Sequence, residues 1–422
     1  MKVLLVNWAW RNVGGDWTYI DNIKKLYEQN GYEVIPFSTL NDGNVKSNYE
    51  QYFVESANFK ELNKNKSLLA GFKAAGNSVI SYDAIKKIKK LLKEHKINFA
   101  HFHNIHHHIT PAIIPALKNA GIPIIWTLHD YKLICPDSNF VSNGEICEKC
   151  FDKKFYNCTL NKCKKNSYPA SLLATLDAYL YNFWGVYEKV DLFLCPSQFL
   201  LDKFKQFNFQ SSKLRLTNLC YDINQLDHQI KHLSSDQQLV ADNEKYIFYV
   251  GRIEKIKGIF TLIEAVAGTE IKLKIAGSGE AIKEAINYVK DNNLDNIEFL
   301  GFQDKKNIYK LTYYAQFVVC PSEWYENYPF SVIESMLISK AVVGAKIGGI
   351  PELVVDNKTG FLFESGNQVD LQSKILTLWN NPGLCTRFGI EGRNFAYGKV
   401  NFDTHWKILK DLIETLPVSV LS

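Results

Sequence analysis

The sequence predicts an α/β protein with two doubly wound domains in tandem. Short apolar runs, typical of buried strands, alternate with helical patterns through most of the 422 residues. The alternation stops in a polar stretch at residues 221–244 and restarts at Tyr246. We therefore expect one parallel, helix-covered sheet of the Rossmann type on each side of that stretch.

The predicted domains are residues 1–220 and 221–400, followed by a C-terminal helix within 401–422 that we expect to pack back on the first domain. The strands predicted for the first domain are residues 3–6, 33–37, 97–103, 122–128 and 191–196. The strands predicted for the second domain are residues 246–250, 272–276, 297–302, 317–321, 341–345 and 360–363. Because ligands of such sheets bind at the carboxyl ends of the strands, the expected reaction site is a cleft across which the domains face each other.

The composition is that of an ordered globular protein, with 46% hydrophobic and 22% charged residues. Residues 1–210 carry 26 Lys and Arg against 19 Asp and Glu, and the remainder carries 23 against 25. This basic bias suits an acidic substrate or a bilayer surface and is too weak to predict nucleic-acid binding. We recognise neither a secretory signal nor an apolar run that could span a membrane, so we expect a cytoplasmic protein.

Two glutamates in the second domain are candidates for binding a sugar nucleotide. Glu326 and Glu334 stand eight positions apart, and a helix starting near Pro329 would contain Glu334 and follow Glu326. Carboxylates accept hydrogen bonds from sugar hydroxyls. The alternative is a pair of surface charges near the start of a helix.

Two cations in the same domain suit a diphosphate. Arg252 and Lys257 follow a predicted strand at the point where a helix begins. Glycines that let backbone amides approach a ligand follow other strands, at Gly277, Gly279, Gly348 and Gly349. The sequence contains no Asp-x-Asp pair of the kind that holds a divalent metal against a nucleotide sugar, so metal-independent chemistry is predicted.

Together these motifs resemble the family-4 retaining glycosyltransferases of the two-Rossmann (GT-B) type over nearly the whole chain. The motifs occur in the family's order: Gly14-Gly15; Thr127-Leu128-His129-Asp130; Pro196-Ser197; Gly251-Arg252 with Lys257; Gly277-Ser278-Gly279; Pro321-Ser322 with Glu326 and Glu334; and Gly348-Gly349-Ile350-Pro351-Glu352.

The resemblance implies a role for each candidate residue. The residues implied in catalysis are His129, Arg252, Lys257 and Glu326. The residues implied in binding the donor are Gly14, Gly15, Arg252, Lys257, Gly277, Gly279, Phe302, Glu326 and Glu334. In this scheme the two cations hold the diphosphate, Glu334 binds the ribose, and Glu326 and His129 contact the transferred sugar. Phe302 would lie near the base.

The function implied by the resemblance is transfer of a sugar, with retention, from a nucleotide-diphosphate sugar to a glycan or lipid-linked acceptor. Bacterial surface polysaccharide or lipopolysaccharide would be the product. The alternatives are a nucleotide-sugar 2-epimerase of the same fold and a scaffold that binds sugar nucleotides without turnover.

Histidines and cysteines form two further clusters in the first domain. The histidines surround a strand end, at His101, His103, His106, His107 and His108. They suit either a metal or, as favoured for His103 and His107, substrate hydroxyls. Five of the nine cysteines lie in a loop-like insertion at about 135–165. Cys147, Cys150, Cys158 and Cys163 are predicted to bind a structural zinc ion, with Cys135 as a substitute ligand. An iron–sulfur cluster and unliganded thiols are the alternatives.

Two segments bear on peripheral membrane contact. Residues 83–97 form an amphipathic pattern with a lysine-rich face, which suits either a membrane-surface helix or a packed helix with one solvated face. Residues 172–187 are rich in Leu, Tyr, Phe and Trp, and we expect most of them to lie in the core.

Overall fold

The computed structural model describes residues 1–12, 14–55, 76–106, 108–231, 233 and 245–417. The chain divides into two compact units, Met1–Cys220 with His405–Ser422, and Tyr221–Thr404. Each unit contains a six-stranded sheet in which all neighbouring strands are parallel. The predicted fold class, two Rossmann-like α/β domains, is confirmed.

The described residues of the first unit form ten strands, six of which make up its main sheet. In chain order they are β1 (Lys2–Val6), β2 (Glu33–Phe37), β3 (Thr39–Leu40), β4 (Val54–Glu55), β5 (Phe99–Phe102), β6 (Ile124–Thr127), β7 (Val141–Ser142), β8 (Glu145–Ile146), β9 (Leu192–Cys195) and β10 (Leu214–Leu216). The order in the sheet is β10-β9-β6-β5-β1-β2. Every residue of β5, β6 and β9 is buried, which explains why these strands are mostly apolar, with His101 and Thr127 as the polar exceptions.

The described helices between these strands are α1 (Gly14–Gln29), α2 (Tyr82–Glu94), α3 (Ile114–Asn119), α4 (Tyr156–Leu160), α5 (Tyr168–Phe183) and α6 (Gln198–Gln206). Helix α2 buries Ala84, Ile88 and Leu91. The lysine-rich segment at 83–97 is therefore a packed helix with one solvated face, the second of the two interpretations of its sequence.

Helix α5 corrects the expectation that residues 172–187 lie mostly in the core. Apart from Tyr181, its buried residues are small or polar, among them Ser171 and Ala174, whereas Leu172 and Leu176 are exposed. The sequence pattern misled because hydrophobicity alone does not say which face of a helix meets the core, and here most of the large apolar side chains are exposed.

The second unit contains the six predicted strands, each within one residue of its predicted bounds. They are β11 (Tyr246–Val250), β12 (Lys272–Ala276), β13 (Ile297–Gly301), β14 (Phe317–Cys320), β15 (Ala341–Ala345) and β16 (Gly360–Phe363), in the order β13-β12-β11-β14-β15-β16. The helices are α7 (Ile223–Lys231), α8 (Ile259–Val266), α9 (Ile282–Asp291), α10 (Lys305–Tyr314), α11 (Phe330–Leu337), α12 (Ile350–Leu353), α13 (Gln368–Trp379) and α14 (Pro382–Val400).

The last described helix, α15 (Phe402–Glu414), places most of its residues in the first unit. His405 Nδ1 lies 2.8 Å from the Asn218 carbonyl oxygen, and the Trp406 ring meets the rings of Tyr27 and Tyr32 edge-on. Among the helices of the described residues, none has both the length and the apolar character needed to cross a bilayer.

Candidate functional site

The loops that follow β11, β12, β14 and β15 contact one another at the carboxyl edge of the second unit's sheet. The Glu323 amide donates to the Ile256 carbonyl at 2.9 Å, joining the loops after β14 and β11. The Gly349 amide donates to the Glu326 carbonyl at 2.7 Å, joining the loops after β15 and β14. These bonds gather the predicted donor-binding motifs of the second unit into one region.

Lys257 and Glu326 form a largely buried ion pair in this region. Lys257 Nζ lies 2.7 Å from Glu326 Oε1, and the two side chains are 15% and 10% exposed. The Ser322 hydroxyl and the Trp324 indole N–H donate to the same oxygen at 2.7 Å and 2.9 Å. Lys257 Nζ also lies 4.5 Å from the centre of the Trp324 ring. Three donors therefore fix one oxygen of this carboxylate.

The environment of Glu326 keeps its side chain ionised. Burial would raise the pKa of the carboxyl, but the charge of Lys257 and the hydrogen bonds from Lys257, Ser322 and Trp324 outweigh burial and lower the pKa. Among the described residues, none donates to the second oxygen, Oε2. Glu326 thus presents an ionised oxygen that can accept a hydrogen bond from a sugar hydroxyl.

Glu334 is held in a comparable way on α11. The Tyr221 hydroxyl donates to Glu334 Oε1 at 2.8 Å, and Lys305 Nζ lies 3.1 Å from the same oxygen. The Tyr221 and Tyr309 hydroxyls are 2.6 Å apart. Burial, followed by the negative charge of Glu334, raises the pKa of Tyr221, so this phenol remains a hydrogen-bond donor. As predicted, the helix begins just after Pro329 and contains Glu334.

Arg252 stands apart from the buried pair. Its side chain is 59% exposed, and Nη1 lies 2.7 Å from Glu254 Oε1. The backbone around it is ordered by the Tyr249 hydroxyl, which donates to the Arg252 carbonyl at 2.7 Å. An exposed guanidinium on a fixed backbone can donate bidentate hydrogen bonds to the oxygens of a diphosphate.

The glycines of the predicted motifs are required for the close approach of these loops. A Cβ on Gly277, whose φ is +145°, would lie 1.8 Å from the Gly251 oxygen, and one on Gly279 would lie 2.2 Å from the Ile253 oxygen. A Cβ on Gly348 would lie 2.3 Å from the Glu326 oxygen. Residues larger than glycine would therefore push the loop after β12 away from the loop that carries Arg252, and the loop after β15 away from the loop that carries Glu326.

The remaining donor-site candidates lie at three other positions. Phe302 follows β13 and is 81% exposed, so its ring is open to stacking. Gly14 and Gly15 begin α1 in the first unit, and Gly14 has a φ of +76°.

His129, also in the first unit, belongs to a group of neutral imidazoles. Its Nε2 lies 3.0 Å from His103 Nδ1. Burial lowers the pKa of His129 to about 4 and that of His101 to about 3. The Tyr27 hydroxyl lies 2.9 Å from His101 Nδ1. His107, also considered for hydroxyl contacts, lies outside the described residues.

The cysteine insertion places three of its five thiols in a small hydrophobic cluster. Cys150, Cys158 and Cys163 pack with Phe155, and a hydrogen bond between the thiols of Cys158 and Cys163 raises the pKa of Cys158 and lowers that of Cys163. In the described parts of the chain, no group of three or more His, Cys, Asp or Glu side chains is arranged to hold a metal ion. Binding of zinc by Cys147, Cys150, Cys158 and Cys163 stays a prediction. Metal analysis of the purified protein beside a Cys147→Ser, Cys150→Ser variant tests it.

Sequence reasoning missed the residues that hold the two carboxylates in place. Tyr221 and Lys305 contact Glu334, while Ser322 and Trp324 contact Glu326. Ser322 carries a signal, because it belongs to a Pro-Ser motif four positions before Glu326. Tyr221 carries none, since it is separated from Glu334 by 113 positions.

The two parallel-sheet units, with acidic and basic side chains gathered at the strand ends of the second, define a protein of the GT-B class. Solved structures of that fold superpose on nearly the whole chain. Sucrose-phosphate synthase from Thermosynechococcus elongatus gives a TM-score of 0.72 at 15% identity, covering 98% of both chains. Anabaena HepE, solved in complex with UDP and glucose, gives 0.67 at 19% identity, covering 98% of this chain and 100% of its own.

The family model "Glycosyltransferase Family 4" matches residues 13–225, half of the chain, and "Glycosyl transferases group 1" matches residues 231–395. The protein belongs to glycosyltransferase family 4, which confirms the resemblance seen in its motifs.

Curated relatives match over shorter stretches. An uncharacterized glycosyltransferase of Methanocaldococcus jannaschii is 32% identical over 184 residues, which cover 42% of this chain and 52% of the relative. The poly(ribitol-phosphate) alpha-N-acetylglucosaminyltransferase of Staphylococcus aureus is 32% identical over 157 residues, covering 36% and 31%. The chain thus spans about half the length, or less, of these relatives.

Proposed function

We propose that this protein transfers a sugar from a nucleotide-diphosphate sugar to a glycan or lipid-linked acceptor, with retention at the anomeric carbon. The observation that carries the proposal is the fixed carboxylate of Glu326. Three donors hold its Oε1, and its Oε2 receives no hydrogen bond from the described residues. This carboxylate accepts hydroxyl hydrogen bonds from the sugar to be transferred.

Lys257 and Arg252 stabilise the leaving group in this proposal. Breaking the bond between the sugar and the diphosphate leaves negative charge on the diphosphate, and nearby cations lower the barrier by stabilising that charge. Lys257 has a fixed position beside Glu326, while Arg252 is exposed and able to bind phosphate oxygens through two N–H groups. The two cations perform this role without a divalent metal.

Glu334 and Phe302 bind the nucleoside in this proposal. Glu334 Oε1 is held by Tyr221 and Lys305. In this proposal the other oxygen of Glu334 accepts hydrogen bonds from the ribose hydroxyls. The exposed ring of Phe302 stacks on the base. From the first unit, Gly14 and Gly15 offer backbone amides to the phosphates, and the neutral imidazole of His129 contacts the transferred sugar.

The names of relatives support a cell-surface glycan as the product. They include a poly(ribitol-phosphate) N-acetylglucosaminyltransferase of Staphylococcus aureus and a lipopolysaccharide 1,2-N-acetylglucosaminetransferase of Salmonella typhimurium. Retention is inferred from the family resemblance, with the leaving diphosphate accepting the proton of the attacking acceptor hydroxyl.

A thermal-shift screen with UDP, GDP, dTDP and ADP sugars tests the donor class, because a ligand that binds the folded protein raises its unfolding temperature. One nucleotide is expected to raise the unfolding temperature of the wild type and to do so less for Glu326→Gln. With that donor and an acceptor, transfer should persist in EDTA, and proton NMR of the product should show the donor's anomeric configuration. Loss of transfer in EDTA with recovery in magnesium, or an inverted product, would refute the mechanism.

Incubation with the donor alone separates this proposal from its alternatives. A 2-epimerase converts the donor to its epimer without any acceptor. A scaffold shows the thermal shift but forms no product with any acceptor. The expected result is an unchanged donor, apart from slow hydrolysis.

A further inference from the structure

Helix α5 displays large apolar side chains on its outer face. The exposed residues are Tyr168, Leu172, Leu176, Tyr179 and Phe183. Leu172, Leu176 and Phe183 are 48%, 54% and 88% exposed. Because the five residues are spaced three or four positions apart, they form one continuous line along the helix, which we call the α5 stripe. Contiguous exposed apolar surface of this kind marks a site of interaction.

The orientation of α5 is fixed by its other face. Asp177 forms a largely buried ion pair with Lys132, with Oδ2 and Nζ 3.0 Å apart. The hydroxyl of Thr175 lies 3.2 Å from the Phe155 carbonyl oxygen, to which it donates. Turning the stripe inward would break this ion pair and leave a charge without its partner, which is strongly destabilising. The stripe is therefore a stable feature of the outer surface.

Helix α4 widens the apolar surface. Thr159 Oγ1 lies 2.8 Å from Thr175 Oγ1, and the Tyr156 amide donates to the Tyr179 hydroxyl at 3.3 Å. These contacts set α4 beside α5. The exposed side chains of Tyr156 and Leu160 therefore adjoin the α5 stripe.

Lysines dominate the exposed charged residues in the part of the chain that contains α4 and α5. Those exposed between residues 149 and 189 are Lys149, Lys153, Lys154, Lys165 and Lys189. Lys162 Nζ lies 4.5 Å from the centre of the Tyr168 ring, at one end of the stripe. Within the same stretch, all of which is described, the exposed acidic residues are Asp152 and Glu188. The exposed charge of this stretch is therefore mainly basic, and Lys162 places part of it at the stripe itself.

We propose that the α5 stripe docks on the surface of an anionic lipid bilayer. Tyr, Leu and Phe side chains lying along one helix face enter the headgroup region, while the exposed lysines of the same stretch contact anionic headgroups. A second copy of the chain fits less well, because a two-fold contact through this face would bring the lysines of one copy toward those of the other. The inference rests on α4 and α5 alone and does not depend on the proposed sugar transfer.

Co-sedimentation of the full-length protein with vesicles tests the proposal. We expect wild type to bind vesicles of phosphatidylcholine with phosphatidylglycerol and to bind pure phosphatidylcholine more weakly. Leu172→Gln, Leu176→Gln, Phe183→Gln should lower the partition coefficient by about tenfold or more. Lys153→Gln, Lys154→Gln, Lys165→Gln should lower it on the anionic vesicles only, by roughly fivefold for each lysine.

A matched variant controls for the general loss of exposed apolar surface. Val369→Gln, Ile390→Gln, Tyr397→Gln changes three exposed helical positions of the second unit and should leave vesicle binding unchanged. All variants should retain the wild-type unfolding temperature, since they alter exposed side chains. Equal binding by wild type and the α5 variant would overturn the proposal. A failure of wild type to bind anionic vesicles would also overturn it. So would light scattering that shows a dimer of wild type which the α5 variant alone does not form, because the stripe would then bind a second copy of the chain.

Discussion

Lys257 Nζ lies 2.7 Å from Glu326 Oε1, and each of these largely buried charges balances the other. The pair joins the loops that follow β11 and β14, so it connects the residues proposed to bind the diphosphate with those proposed to bind the sugar. Variants of this pair therefore test most directly whether the diphosphate and the sugar bind at one site.

Removing one member of this pair should destabilise the protein. Lys257→Met leaves the Glu326 carboxylate buried without its cation, which we expect to cost about 3 kcal/mol of unfolding free energy. The double variant Lys257→Met, Glu326→Gln should recover much of that loss because no charge is left unpaired, yet it should still fail to transfer sugar. Urea unfolding measures the first effect, and product formation measures the second.

An exposed ion pair of the same unit serves as the control. Lys346 and Glu364 are 3.0 Å apart with side chains 60% and 64% exposed. Lys346→Met should lower the unfolding free energy far less than Lys257→Met does, because solvent screens exposed pairs. Equal losses for Lys257→Met and Lys346→Met would contradict the buried character of the Lys257–Glu326 pair.

Gly258 should be more sensitive to substitution than a glycine with the same backbone conformation elsewhere. Gly258 and Gly268 have φ values of +68° and +69°, but a Cβ would lie 1.8 Å from the Pro321 oxygen at Gly258 and meets nothing within 4 Å at Gly268. Alanine at either position pays a conformational cost of roughly 1 to 2 kcal/mol. Only Gly258→Ala should also push the β14 loop away and weaken donor binding, by about tenfold or more.

Calorimetric titration of the nucleotide measures the donor affinity of both glycine variants. The comparison removes the effect of backbone strain, which the two share. Similar donor affinities for Gly258→Ala and Gly268→Ala would show that the contact between these loops has no part in binding.

Acidification should destabilise the protein before its carboxylates are protonated. Burial lowers the pKa of His101 to about 3 and that of His405 to about 4, from a usual value of 6.5. Between the folded-state pKa and the usual pKa of 6.5, the unfolded chain binds protons that the folded chain does not. The contribution of these histidines to stability is therefore fully present above about pH 6.5 and is lost as the pH falls toward 4. The loss at pH 5 should be roughly 2 kcal/mol for each of these histidines.

Urea unfolding midpoints at pH 7.5, 6 and 5 measure this loss. His405→Gln should be less stable than wild type at pH 7.5 but should lose less on acidification, because one buried imidazole has been removed. The lowered pKa of Glu326 adds a further loss only below its usual value of 4.5. A midpoint that stays constant from pH 7.5 to 5 would show that the histidines are not held neutral by folding.

The strands were predictable because parallel strands buried on both faces read as unbroken apolar runs, as in Phe317–Cys320. Helix α7 was missed because its two buried residues, Ile223 and Leu226, stand among polar ones. The outward face of α5 was mistaken for core, since the sequence does not show that Asp177 is anchored by Lys132.

The candidate site was predictable as a set of residues and not as a set of contacts. Lys257 and Glu326 are separated by 69 positions, and each was assigned to a different part of the ligand. Their mutual pairing depends on glycines that let the loops approach, which is tertiary information. The partners of Glu334 could not be inferred for the same reason, because Tyr221 precedes the first strand of its unit.

Tyr221 provides the last test, which separates the positioning of Glu334 from its charge. Tyr221→Phe keeps the ring and removes the hydroxyl that donates to Glu334 Oε1 at 2.8 Å. A hydrogen bond to a charged group contributes about 1.5 to 3 kcal/mol, so we expect donor affinity to fall by about tenfold or more.

Tyr288→Phe is the control for this prediction. The Tyr288 hydroxyl donates to Glu264 Oε1 at 3.3 Å, and Glu264 has no proposed part in binding. Calorimetric titration with the nucleotide alone should show the loss for Tyr221→Phe and wild-type affinity for Tyr288→Phe. If both variants bind the nucleotide as wild type does, Glu334 does not hold the ribose through the geometry that Tyr221 imposes.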